Sequence, residues 1–155
     1  MRFPLRPLLV ALLIVPTAAL AQDREVPYWA SLRSHEVNMR VGPSEDYQIA
    51  WVYRREGLPV KVVRLREGWR LVRDPDGAQG WILARLLNPE RTALVVGKGL
   101  AALRESGADG AKLRWNLEPG VIGKIGDCDE GWCEFEVEGR KGWVRQSRLW
   151  GAGEP

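Results

Sequence analysis

LREGWRLVRDPDGAQGWI, residues 65–82, and GDCDEGWCEFEVEGRKGWV, residues 126–144, each hold two Gly-Trp pairs about a dozen residues apart. Laying the second half of the chain on the first at an offset of about 63 residues extends the match well beyond these stretches. Arg40 falls on Arg104, Trp51 on Trp115, Gly57 on Gly120, Gly68-Trp69 on Gly131-Trp132, and Gly80-Trp81 on Gly142-Trp143. Six of the eight tryptophans are paired in this way, and for so rare a residue this indicates one module present twice.

Each copy reads as β-structure. VNMRV (37–41), IAWVY (49–53), PVKVVRL (59–65), CEFEV (133–137) and GWVR (142–145) are short, rich in branched and aromatic residues, and bounded by Gly, Pro, Asp or Asn. In the run around Phe135, the glutamates at 134, 136 and 138 take one face while Phe135 and Val137 take the other, as in a strand with one wet side. Gly42-Pro43-Ser44, Asp74-Pro75-Asp76-Gly77 and Glu138-Gly139-Arg140 are reversals. AALRESGADGAKLRW (101–115) has helical spacing in its first turns, but Gly107 and Gly110 make it a loop. The fold class expected is therefore all-β: two tandem five-stranded barrels, at 26–90 and 91–150. Asn88-Pro89-Glu90 is a compact junction that leaves the two in contact. A unit of roughly 60 residues has a small core. The tryptophans are expected to fill it, and closure of the sheet to remove its edges.

The first 21 residues begin with Arg2 and Arg6, run through apolar residues from Leu8 to Val15 and end on Ala19-Leu20-Ala21, the pattern of a cleaved signal peptide. The apolar run is too short to span a bilayer, and Pro16 interrupts it. A periplasmic or secreted protein without a stable membrane anchor is expected. Without the leader the formal charge falls from +3 to +1, with both signs interleaved, which argues against nucleic acid as a partner.

In such a compartment Cys128 and Cys133, flanking a hairpin reversal, are expected to form a disulfide. Redox chemistry favours a C-x-x-C spacing, and zinc needs more ligands than two cysteines without a nearby histidine. Leu65 and Arg70 occupy the corresponding places in the first copy, so the cross-link reads as local reinforcement. It restrains the unfolded chain by about 2 kcal/mol.

VNMRVGPSEDYQIAWVYRREG followed by PVKVVRLREGWRLVRDPDGAQGWILARLL resembles the bacterial SH3-like (Src homology 3, SH3b) domain. Asn38, Arg40, Gly42, Pro43, Ser44, Tyr47, Gly57, Gly68, Trp69, Gly80 and Trp81 carry the likeness, in order. The second copy keeps Arg104, Gly120, Gly131, Trp132, Gly142 and Trp143, but has Ala102 and Glu105-Ser106-Gly107 where the first has Asn38 and the Gly-Pro-Ser run. The resemblance implies small barrels that bind peptides or cell-wall material and perform no chemistry, modules that often accompany peptidoglycan hydrolases.

His35, the only histidine, sits in a polar turn, and the paired aspartates sit at hairpin tips, poor places for a shifted pKa. No catalytic residue, metal ligand or cofactor is expected. The expected ligand contacts are Asn38, Arg40, Tyr47 and Trp51, with a cell-wall peptide or another exported protein as partner. Asn38 and Arg40 have a second reading, as ties between a loop and its strand. Trp132 shares strand parity with Glu134 and should face outward unless a bulge beside Gly131 turns it in. Non-reducing mass spectrometry of the mature protein should find Cys128 and Cys133 in one bridged peptide; two free thiols would contradict the reading.

Overall fold

A computed structural model of the chain describes residues 24–155. The expected leader lies outside the described residues. The first unit contains β1 (Tyr28–Leu32), β2 (Val37–Arg40), β3 (Ile49–Tyr53), β4 (Pro59–Arg66), β5 (Trp69–Arg73), β6 (Gln79–Leu83) and β7 (Leu87–Asn88), with one 3-10 turn at Ala84–Leu86. The second contains β8 (Thr92–Val95), β9 (Ala101–Arg104), β10 (Leu113–Leu117), β11 (Ile122–Asp129), β12 (Trp132–Val137), β13 (Arg140–Arg145) and β14 (Leu149–Trp150), with a 3-10 turn at Gln146–Arg148. The strand orders, β3-β2-β6-β5-β4-β1-β7 and β10-β9-β13-β12-β11-β8-β14, are the same order twice.

That order forces each sheet to curl. Only residues 33–36 join β1 to β2, yet β6, β5 and β4 lie between them in the sheet. At roughly 4.8 Å per strand a flat sheet would hold them about 19 Å apart. Five residue steps reach only about 17 Å. The result is an all-β tandem in which each sheet wraps one core.

Two local expectations change. Each sheet has seven strands, not five. The additions are the strands where the chain enters and leaves each unit, β1 with the two-residue β7 and β8 with the two-residue β14, which are too short or too mixed to stand out before pairing. Nor does the ladder close: among the described residues β3 pairs only with β2 and β10 only with β9, while the two-residue β7 and β14 end the sheets on the other side, so each unit keeps a long free edge at β3 or β10.

The cores also differ from expectation, because neither contains a tryptophan. The first is built from residues such as Leu32, Val37, Met39, Tyr53, Val60, Val62, Val72 and Ile82, and the second from Val95, Leu103, Ile125, Cys133, Phe135 and Val144. Trp69 and Trp132 are buried outside these clusters. Trp132 does take the glutamate face of β12, whose pairing with β13 is regular from Trp132 to Val137. No bulge turns it inward; the loop after β9 covers it instead. A Cβ on Gly107 would lie 3.0 Å from the Trp132 Cβ, and the Arg145 guanidinium stands 4.4 Å from the indole centroid.

The second Gly-Trp of each copy has a steric cause. Strand β2 meets β6 at one pair, Arg40 with Trp81, and β9 meets β13 at Arg104 with Trp143. A Cβ on Gly80 would sit 2.4 Å from Met39 Cγ and 2.9 Å from the Arg40 carbonyl oxygen, and one on Gly142 would sit 2.5 Å from the Arg104 carbonyl oxygen. Only glycine admits the crossing. At the first Gly-Trp, Gly68 (φ +69°) and Gly131 (φ +81°) take left-handed hairpin positions. Cys128 and Cys133 pair directly across β11 and β12 and form a disulfide, with Cys133 fully buried. Leu65 and Arg70 form the equivalent cross-strand pair in the first unit.

The units dock on each other. Trp29 stacks edge-on against Trp150 at 4.8 Å, and its indole N–H donates to the Gly153 carbonyl at 3.0 Å. The Thr92 hydroxyl donates to the Gly57 carbonyl at 2.7 Å, and the Arg55 guanidinium donates to the Gly120 carbonyl. Leu94 and Ile122 of the second unit pack against the first core. Gly80→Ala and Gly142→Ala should each destabilise the fold by about 1–3 kcal/mol, measured by urea unfolding, while Gly110→Ala, with open space at its Cβ position, leaves the midpoint nearly unchanged.

Candidate functional site

The expected contact residues lie on the β2–β3 hairpin and the loop 41–48. Arg40 Nη1 donates to the Tyr47 carbonyl at 2.7 Å, while Val41 N–H donates to Gln48 at 3.0 Å, so the loop is tied at its base. Arg104 Nη1 donates to the Ala111 carbonyl at 2.7 Å, and Glu105 N–H to Lys112 at 2.9 Å, repeating the arrangement in the second copy. The same arginine on the same loop in both units is a structural tie, the second of the two readings of Arg40. Gly42 packs beneath the Tyr47 ring, where a Cβ would come within 2.6 Å. Tyr47 is thereby held at the surface, 48% exposed.

Asn38 is half-buried opposite Val52, on the face of β2 away from Val37 and Met39. It is therefore separated from Trp51. Trp51 stands opposite Met39, and Tyr53 opposite Val37, so strand alternation places Trp51 on the core-facing side of β3. Met39, Val37 and Tyr53 are buried, yet Trp51 is 60% exposed. Among the described residues no further strand pairs beyond β3 to cover it.

Trp51 instead forms one wall of an open groove of about 560 Å³, completed by Tyr53, Leu58, Pro75, Ala78 and, from the second unit, Leu94. Sequence reasoning found Trp51 but missed Leu58, Pro75, Ala78 and Leu94. The alternation within IAWVY signals that Trp51 and Tyr53 share a face, but nothing local places Pro75 or Leu94 opposite them.

Asp74 organises the turn that forms the far side. Its buried carboxylate accepts from the Tyr53 hydroxyl at 2.9 Å and from the backbone N–H groups of Asp76 at 3.0 Å and Ala78 at 2.8 Å. Burial, reinforced by the bond to Asp74, pushes the Tyr53 hydroxyl well above the ordinary tyrosine range. The phenol is thus a neutral, fixed donor. Asp76, exposed at the turn, has no ion-pair partner among the described residues. At the other end Arg54 Nε lies 3.6 Å from Glu36, and Arg55 reaches away to Gly120.

Other chemistry-bearing groups lie elsewhere. His35 Nε2 lies 3.1 Å from Glu56, both well exposed, and both cysteines are in the disulfide. Among the described residues, no three His, Cys, Asp or Glu side chains are grouped to hold a metal, and no helix is long and apolar enough to cross a membrane.

The family model for the bacterial SH3 domain matches the chain twice, at residues 33–89 and 97–151. The chain belongs to that family, as a tandem pair. No curated protein matches it. Among solved structures it is similar to NlpC2 from Trichomonas vaginalis, at 13% identity and a TM-score of 0.37, covering 83% of this chain and 49% of that one. NlpC1 from the same organism gives 14% and 0.37 over 90% and 50%, and an NlpC/P60 family protein from Bacillus cereus gives 12% and 0.35 over 79% and 55%. The chain thus spans about half the length of the solved proteins it matches.

Because the Tyr53 hydroxyl loses its proton less readily in the folded state than when unfolded, its stabilising effect is present below the unfolded pKa of about 10 and declines as pH rises beyond it. At neutral pH, Tyr53→Phe should cost about 1–3 kcal/mol, and parallel urea titrations should show the wild-type advantage shrinking above pH of about 10.

Proposed function

We propose that this chain is a non-catalytic binding protein of the bacterial cell envelope, recognising peptidoglycan or an extended peptide segment through its first SH3 unit. One observation carries the reading. Trp51, on the core-facing side of its strand, is exposed above an open groove, with Tyr47 and Ile49 exposed on the same hairpin. A solvent-facing cluster of large apolar residues beside a groove marks an interaction site, and SH3 domains dock extended peptides against aromatic surfaces. Membership of the bacterial SH3 family supports a cell-wall-related role. The expected leader and the disulfide support a periplasmic or secreted location.

A second reading, docking onto another exported protein, draws support from the free edge of β3. That strand presents unpaired backbone groups to a partner strand. In both readings the residues bind and do no bond-making.

The mature protein should co-sediment with purified sacculi, and Trp51→Ala should lower the bound fraction at least several-fold while leaving the unfolding midpoint unchanged. Enrichment no greater than that of a denatured control removes the wall-binding version. A stoichiometric protein captured from an envelope extract without sacculus binding favours the docking version.

A further inference from the structure

The two units offer an internal comparison at one position. Trp115, the repeat partner of Trp51, stands opposite buried Leu103 on the free-edged strand β10, as Trp51 stands opposite Met39 on β3. The second unit provides its own cover: the Arg140 guanidinium stands 5.6 Å from the Trp115 ring centroid, and Trp115 is 37% exposed against 60% for Trp51. In the repeat register set by Gly80-Trp81 and Gly142-Trp143, Arg140 corresponds to Ala78. The first unit therefore has a methyl group where the second has a guanidinium, and Ala78 lines the groove beside Trp51.

The charges around the groove agree with a missing cation. Asp76 and Asp74 line it; Asp74 is occupied by three hydrogen bonds, and Asp76 has no ion-pair partner among the described residues. The two arginines in the lining are engaged elsewhere, Arg54 with Glu36 and Arg55 with the Gly120 carbonyl. An indole face beside a carboxylate is suited to a cation, attracted by the ring quadrupole and by the negative charge together.

We propose that the groove between Trp51 and the Asp74–Ala78 turn takes a cationic side chain, an arginine or lysine carried on an extended peptide, in the place that Arg140 fills within the second unit. The apolar walls Leu58, Pro75 and Leu94 would cover the aliphatic stem, leaving the head group over Trp51 and toward Asp76. This shares Trp51 with the binding role proposed above but does not require the partner to come from the cell wall.

The test uses the full mature chain and two capped peptides, acetyl-Val-Arg-Val-amide and its citrulline analogue, which keeps the shape of arginine without the charge. The readout is the Trp51 indole N–H resonance, assigned by its loss in Trp51→Phe. The arginine peptide should shift it saturably, with affinity at least several-fold above that of the citrulline peptide. Asp76→Asn should narrow that gap, and Ala78→Arg, which installs the second unit's own cover, should abolish binding while the fold stays intact by its unfolding midpoint. Equal binding of the two peptides, undiminished binding by Ala78→Arg, or no saturable shift would each overturn the proposal. A citrulline peptide that binds as well as the arginine one, with sacculus binding retained, would remove the cation site and leave the wider binding role standing.

Discussion

The close crossing of β2 over β6, and of β9 over β13, is the constraint on which the rest of each unit depends. A four-residue connection must join strands that lie on opposite sides of three others, so the sheet has to fold across itself. It does so where a side chain would strike the neighbouring backbone, and Gly80 and Gly142 are the residues that permit it. Once the crossing is made, Arg40 and Arg104 stand beside it and tie down the loops that follow. Those loops in turn position the next strands, β3 and β10, at one edge of each sheet.

Duplication then makes use of surfaces that a lone unit would leave wet. Leu94 and Ile122 of the second unit pack against the core of the first, and Trp29 joins Trp150 and Gly153 across the junction. Burying apolar surface contributes about 25 cal/mol per Å², which matters for units whose own cores are small. The docking also completes the groove: its walls include Leu94, so the site beside Trp51 belongs to the pair of units rather than to one. Apart from such shared positions, the copies differ. The second has a covalent cross-strand link and an arginine over its tryptophan, while the first has Leu65 with Arg70 and an open tryptophan.

The duplication, the strand content and the cysteine pairing were legible because each rests on local chemistry: rare residues recurring at one offset, period-two alternation, and two thiols flanking a hairpin. The tryptophans misled at the level of packing. Composition says that large apolar side chains must be buried, but not by what, and Trp69 and Trp132 proved to be covered outside the cores. For Trp132 the cover is a loop folded back from a distant part of the unit together with the planar head of Arg145. Strand parity predicted its face correctly and its exposure wrongly. Of the four residues expected to contact ligand, Arg40 is engaged in holding its loop, Asn38 faces away from Trp51, and Tyr47 and Trp51 remain at the surface.

From sequence alone came a tandem all-β chain with matched turns and a cross-link in its second half, since periodicity, turn residues and residue spacing are properties of neighbours along the chain. Tertiary structure alone decided which tryptophan is open, how Pro75 and Leu94 come to face Trp51, and that Ala78 stands where its repeat partner is an arginine lying over an indole. Those relations depend on how a curled sheet and its docked twin bring distant residues together, and solvent exposure is settled only by what finally lies on top.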